Sequence, residues 1–216
     1  MVLTIPCAIG FMTLGKPIIS MLYPRLSTES TSMAAGLLLY GGIAIIFYGF
    51  SSILNGVLQG VGKVNFPVLS SSIALVFHVL LLYVLLKYTN IGTISFIIAT
   101  LLYVLIIVAM NYWKVKQYIG YTVEWRDSIL MPLFAAVMMG AVSFLSYNIL
   151  YYVLATVMGE YVRNAISAIV AILVAAITYI VCLLKFGGYT EEMLLAFPKG
   201  ALVVEIAKKM KLTKSG

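Results

Sequence analysis

The sequence predicts an all-α, polytopic membrane bundle of six transmembrane helices, and three observations predict it. First, 63% of the 216 residues are apolar and only 10% are charged, with a mean hydropathy of +1.09. A soluble domain holds a much smaller apolar share. Second, the apolar residues form long runs of the length that a helix needs to cross hydrocarbon, about 20 residues. Third, acidic residues are absent from those runs, and most basic residues collect in alternate connections.

Six runs qualify, and in each one a helix is the conformation that satisfies its own backbone where no water is available. The first covers 2–23 and carries Pro6, Gly15, Lys16 and Pro17. It lacks the basic start of a signal peptide and reads as a retained span. The second, 34–61, follows the polar stretch Pro24 to Thr31. The third, 66–88, follows Gly62-Lys63-Val64-Asn65, and the fourth, 91–113, follows Thr89-Asn90. These connections carry the Gly, Pro, Asn and charge signals of turns. The fifth, 129–157, has Asp127 or Ser128 as a candidate N-cap, and the sixth, 162–186, follows Gly159 to Arg163. Residues 1–186 therefore form the bundle. Residues 187–216 form a basic tail whose pattern from Ala201 to Lys211 is amphipathic, with Pro198-Lys199-Gly200 before it.

Six crossings sort the basic residues into two sets. Lys63, Lys114, Lys116, Arg126, Lys185, Lys199, Lys208, Lys209, Lys211 and Lys214 share one face, against Arg25, Lys87 and Arg163 on the other. Basic residues are retained on the cytoplasmic side. The expectation is a multi-pass protein of a bacterial cytoplasmic membrane with its C-terminus in the cytoplasm. Lys208, Lys209, Lys211 and Lys214, beside Ile206, Met210 and Leu212, suit an interfacial helix on anionic headgroups. A solvated basic end is the alternative.

Polar groups in hydrocarbon are costly and mark faces turned to protein or to a watery path. Ser51, Asn55 and Gln59 recur four residues apart in the second run, with Tyr48 one turn earlier, and form a stripe. The stripe either lines a hydrophilic path or holds neighbouring helices by hydrogen bonds. His78 lies mid-span in the third run, beyond Ser70, Ser71 and Ser72, as a hydrogen-bonding partner or a substrate-facing group. Lys16 sits near one end of its span, from which its alkyl stem can snorkel to water. Gly56 and Gly60 form a small-xxx-small pair that permits close helix approach.

The composition also excludes functions. One histidine rules out a multi-histidine metal site, and no metal site or cofactor is expected. Carboxylate pairs inside the spans, a nucleotide-binding loop and a nucleophile with a base are all missing, so no catalytic residue is assigned and the chain reads as a non-enzyme. The basic residues are not interleaved with base-stacking aromatics, so nucleic acid is not an expected partner. Cys7 and Cys182 lie in apolar runs and read as buried filler, not as a disulfide.

Four segments carry a family resemblance. Thr4-Ile5-Pro6-Cys7-Ala8-Ile9-Gly10 with Leu14-Gly15-Lys16-Pro17-Ile18-Ile19 resembles a helix of stage V sporulation protein B-like polysaccharide exporters. Gly56-Val57-Leu58-Gln59-Gly60-Val61-Gly62-Lys63 with Pro67 is similar to a junction in that family. Pro132 to Gly140 is similar to a later helix, and Gly187-Gly188-Tyr189-Thr190-Glu191-Glu192 with Phe197-Pro198-Lys199-Gly200 resembles its closing tail. The resemblance implies a member of the multidrug/oligosaccharidyl-lipid/polysaccharide (MOP) superfamily, related to MurJ-type lipid II flippases. Such proteins move lipid-linked sugars by alternating access between two helical lobes, usually with fourteen spans.

The order of the matches implies the C-terminal lobe of a MATE-like/MOP flippase, its first span corresponding to the family's ninth and its last two to the pair that forms a lipid-tail groove. It further implies a role in peptidoglycan, cell-wall or spore-cortex synthesis. The implied partners are the bilayer, a lipid-linked sugar and an N-terminal lobe lying outside this sequence, whose pyrophosphate-holding arginines have no counterpart here. Tyr48, Ser51, Asn55, Gln59, His78 and Lys16 are the pathway candidates. A non-transporting scaffold that docks wall-synthesis enzymes, or an inactive fragment, is the alternative expectation.

Overall fold

A computed structural model describes residues 1–120 and 129–186. Among these the six expected spans are present as α1 (Thr4–Leu22), α2 (Thr28–Gly60), α3 (Asn65–Tyr88), α4 (Ile94–Ile119), α5 (Met131–Val153) and α6 (Glu160–Phe186). All six are long and apolar enough to cross a membrane. The tail with Lys208, Lys209, Lys211 and Lys214, the Asp127/Ser128 cap and the closing Gly187 to Gly200 segment lie outside the described residues.

Local chemistry sets the ends. Ser27 caps α2, its hydroxyl accepting from the Ser30 N–H at 3.2 Å, and Glu29 complements the helix dipole in the first turn. Helix α2 therefore begins at Thr28, not at Ala34. At 33 residues it is about 50 Å long, well over the thickness of the hydrocarbon core. Gly120 closes α4 at a φ of 66°, a left-handed conformation that glycine adopts without penalty, so this helix runs past Trp113 to Ile119. Pro67 and Pro132 occupy first turns, where a missing N–H costs nothing. Glu160 opens α6 and Lys185 lies in its last turn, each matched to the dipole. A 3-10 turn at Leu154–Thr156 ends the α5 segment.

Helix α1 packs on α2, α5 and α6; α2 packs on α4; and α4 holds α3, so that α3 forms one edge of the bundle and α5 with α6 the other. Although joined by a tight turn, α2 and α3 barely touch, because α4 lies against both. Close approach occurs at glycines other than the expected pair. A methyl group on Gly49 would lie 2.5 Å from the Thr4 side chain, and one on Gly140 would lie 2.8 Å from Ile9, whereas Gly56 and Gly60 face open space.

Ile5, Ala135, Ala136, Met139, Ala175, Tyr179 and Leu183 form the α1–α5–α6 core. Outward faces carry Val76, Phe77, Leu80, Phe144, Leu173 and Ile177 in the open, as a lipid-facing surface requires. Cys7 and Cys182 are unpaired as expected. Cys7, however, is exposed and not buried, because it falls between the inward-facing Ile5 and Ala8 on the opposite side of α1.

Candidate functional site

A polar seam runs between α2, α3 and α4. At its centre is Asn111 of α4, fully buried. Its Nδ2 donates to Asn55 Oδ1 of α2 at 2.6 Å, and its Oδ1 accepts from Ser70 Oγ of α3 at 2.8 Å. Ser70 Oγ also lies 3.0 Å from the Pro67 carbonyl in its own helix. Three helices are thereby tied through one amide. Between helices bathed in lipid the hydrophobic effect supplies no net attraction, so such bonds and close packing hold them together. Farther along the same seam, Tyr103 of α4 meets the edge of His78 at 5.6 Å and the ring of Tyr48 at 6.4 Å. The result is a second three-helix contact, aromatic instead of amide.

The expected stripe is thus resolved into separate environments. Ser51 is buried, Asn55 is half-buried in the amide network, and Tyr48 and Gln59 are exposed. The cause is the helical pitch, because a four-residue step overshoots one turn by about 40°, and two steps carry Gln59 well around the helix from Ser51. His78 is half-buried and continues the face of α3 that buries Pro67, Ser70 and Ala74. The seam therefore brings together Tyr48, Asn55 and His78, with Asn111 and Tyr103 as the members that sequence reading missed. A lone asparagine within an apolar run was the available signal.

Lys16 is not part of the seam. It lines a cavity of about 720 Å³ between the end of α1, the beginning of α2, the end of α5 and the beginning of α6. There Tyr147 donates to Asn164 Oδ1 at 2.7 Å, and Asn164 Nδ2 donates to the Pro17 carbonyl at 3.0 Å. Arg163 lies 3.9 Å above the Tyr151 ring, which stacks on Tyr147 at 5.5 Å. At the opposite end of the bundle, Lys63 and Lys114 each approach the Tyr118 ring at 5.0 Å. Among the described residues no group of His, Cys, Asp or Glu is placed to hold a metal ion.

Six apolar helices with a buried polar seam and an end cavity define a polytopic α-helical membrane protein. The model of the family described as lipid II flippase MurJ matches residues 1–172, from α1 into the first half of α6. The chain belongs to the MurJ lipid II flippase family. No curated protein and no solved structure matches it.

Proposed function

We propose that the chain supplies a helical lobe of a flippase that carries lipid II or a similar lipid-linked oligosaccharide across the cytoplasmic membrane. The observation that carries this reading is the family match over residues 1–172. Alternating access requires two bodies that rock about a shared path, so a second helical lobe, encoded with this chain or separately, is the proposed partner. Members of the family are described as transporters, and no chemical step is assigned here.

The proposed orientation puts the Lys63, Lys114 and Lys185 ends in the cytoplasm, since basic residues are retained there. The proposed path follows the open side of the seam. Tyr48 and Gln59 present exposed polar groups along it, and His78 shares the Tyr103 contact with Tyr48. Asn55 and Ser51 stand behind these residues as supports. Lys16 stands apart from this path, in the cavity at the proposed extracytoplasmic end of the bundle.

The test is growth of a strain depleted of its lipid II flippase and supplied with this gene in its native genomic frame. Gln59→Leu combined with Tyr48→Phe removes two exposed polar groups, neither of which makes a side-chain hydrogen bond among the described residues. The expected outcome is slowed or failed growth at unchanged membrane levels of the protein. Full growth of the double variant removes the path from this face. Failure of the unmodified gene to restore growth rejects the transport reading itself.

A further inference from the structure

The end of the bundle opposite the Lys16 cavity holds two cations that the polar seam does not use. Lys63 sits in the turn between α2 and α3. There Gly62, at a φ of 74°, closes α2, and the Lys63 N–H donates to the Leu58 carbonyl at 2.8 Å, so the lysine stands on a fixed bend. Lys114 lies in the last turns of α4. It is half-buried, with its ammonium 5.4 Å from the centres of the Phe66 and Trp113 rings and 5.0 Å from that of Tyr118. Lys63 reaches the same Tyr118 ring at 5.0 Å, so the two ammonium groups are no farther apart than twice that distance.

Among the described residues no carboxylate pairs with either lysine. Lys114 donates to Gln117 Oε1 at 2.9 Å, and Lys63 makes no side-chain hydrogen bond there. The sequence after α4 adds Glu124 and Asp127 but also Arg126. With Lys63, Lys114 and Lys116, this end of α3 and α4 therefore carries four basic residues against two acidic ones. Ring faces attract a cation without neutralising it, so the pair keeps its positive charge. Both lysines line one groove of about 740 Å³, together with Asn65, Ser72 and Tyr118. Its wall continues along α3 as Val68 and Leu69, which are 65% and 53% exposed. A phosphate at the lysines with an acyl chain on α3 covers both parts, whereas a free anion leaves the apolar wall bare. Snorkelling accounts for a lysine that reaches for water. It does not account for two that converge on one ring, one of them half-buried.

We infer that the groove between the beginning of α3 and the end of α4 is a binding site for an anionic glycerophospholipid of the surrounding leaflet. Lys63 and Lys114 bond to its phosphodiester, Asn65 supplies a further donor, and one acyl chain lies along Val68 and Leu69. Basic pockets between helices select anionic headgroups in this way. Helix α3 packs mainly on α4, so a lipid seated here fastens the edge helix to its neighbour. This lipid is a resident of the bilayer, distinct from any carried one, and its binding does not depend on the transport reading.

The test uses the full chain with Trp125→Phe, which leaves Trp113, beside Lys114, as its one tryptophan. It is placed in phosphatidylcholine nanodiscs that contain brominated phosphatidylglycerol or, for comparison, brominated phosphatidylcholine. Trp113 is expected to be quenched by the anionic lipid with a roughly tenfold higher relative affinity. Lys63→Gln and Lys114→Gln should each lower that preference about threefold, and the double variant should abolish it. Lys114→Arg, which keeps the charge, should retain it and separates loss of the cation from damage to the fold. Lys116→Gln removes the same charge from the same end but outside the groove, and should leave the preference unchanged. Equal quenching by the two headgroups overturns the inference. So does an equal drop in Lys116→Gln, which makes the attraction a diffuse one to the whole surface. A preference abolished by glycerol 3-phosphate at low millimolar concentration gives the groove to a free phosphoanion and rejects the lipid.

Discussion

Replacing Asn111 by alanine tests whether the seam is an energetic joint of the bundle. The substitution removes two interhelical hydrogen bonds, to Asn55 and to Ser70. In membranes such bonds average about 0.6 kcal/mol and reach about 1.7. Their loss alone therefore costs about 1 to 3 kcal/mol. The two partners respond differently. Ser70 keeps the Pro67 carbonyl at 3.0 Å as an acceptor, whereas Asn55 Oδ1 loses the one donor that reaches it among the described residues. Most of the coupling should therefore lie between Asn55 and Asn111. A double-mutant cycle of Asn55→Ala and Asn111→Ala, read by reversible unfolding in bicelles, is expected to give about 0.5 to 2 kcal/mol of interaction energy. The Ser70→Ala cycle with Asn111→Ala should give less. A coupling under about 0.3 kcal/mol for the Asn55 pair would refute the reasoning, since it would make the network a matter of geometry without energy.

Other outcomes follow from the same coordinates. Gly49→Ala, whose new methyl meets Thr4 at 2.5 Å, should destabilise the α1–α2 contact by about 1 to 3 kcal/mol, while Gly56→Ala, which meets nothing, should be neutral or stabilising by up to about 1 kcal/mol. Thermal unfolding of the two variants compares them directly, and equal midpoints would contradict the packing. Ser27→Ala should remove the α2 cap at a cost of about 1 kcal/mol, seen as faster hydrogen exchange confined to the first turn after Thr28. With Cys7 and Cys182 replaced by alanine, Gly159→Cys should react with an impermeant maleimide in intact cells and Lys63→Cys should not. The opposite pattern would invert the proposed orientation.

Much of the fold was legible because lipid imposes one rule on every span, and the rule is written in residue type and run length. The exceptions lie where that rule ends. The start of α2 was set at Ala34 by apolarity, but the chain continues its helix out of the hydrocarbon to Thr28 on the strength of a serine cap. The end of α4 was set at Trp113, and the glycine that stops the helix stands beyond the last apolar cluster at Gly120. That misplacement also hid Asn111. It stands two residues from the end of the 91–113 run. In a helix that runs to Ile119 it lies inside the span, where an amide needs a partner.

The site was legible only as far as one helix can report on itself. Spacing put Ser51, Asn55 and Gln59 on one stripe, but which member turns inward depends on where α4 sits, and no periodicity within α2 contains that information. Asn55 answers to Asn111 and Tyr48 to Tyr103, both on α4, a helix that is otherwise strongly apolar. Lys16 shows the same limit from the other direction. Read alone, it is a cation snorkelling from the end of a span. Set beside Glu160 and five tyrosines from α1, α5, α6 and their connections, it belongs to a cavity with the Arg163 guanidinium against one of its rings.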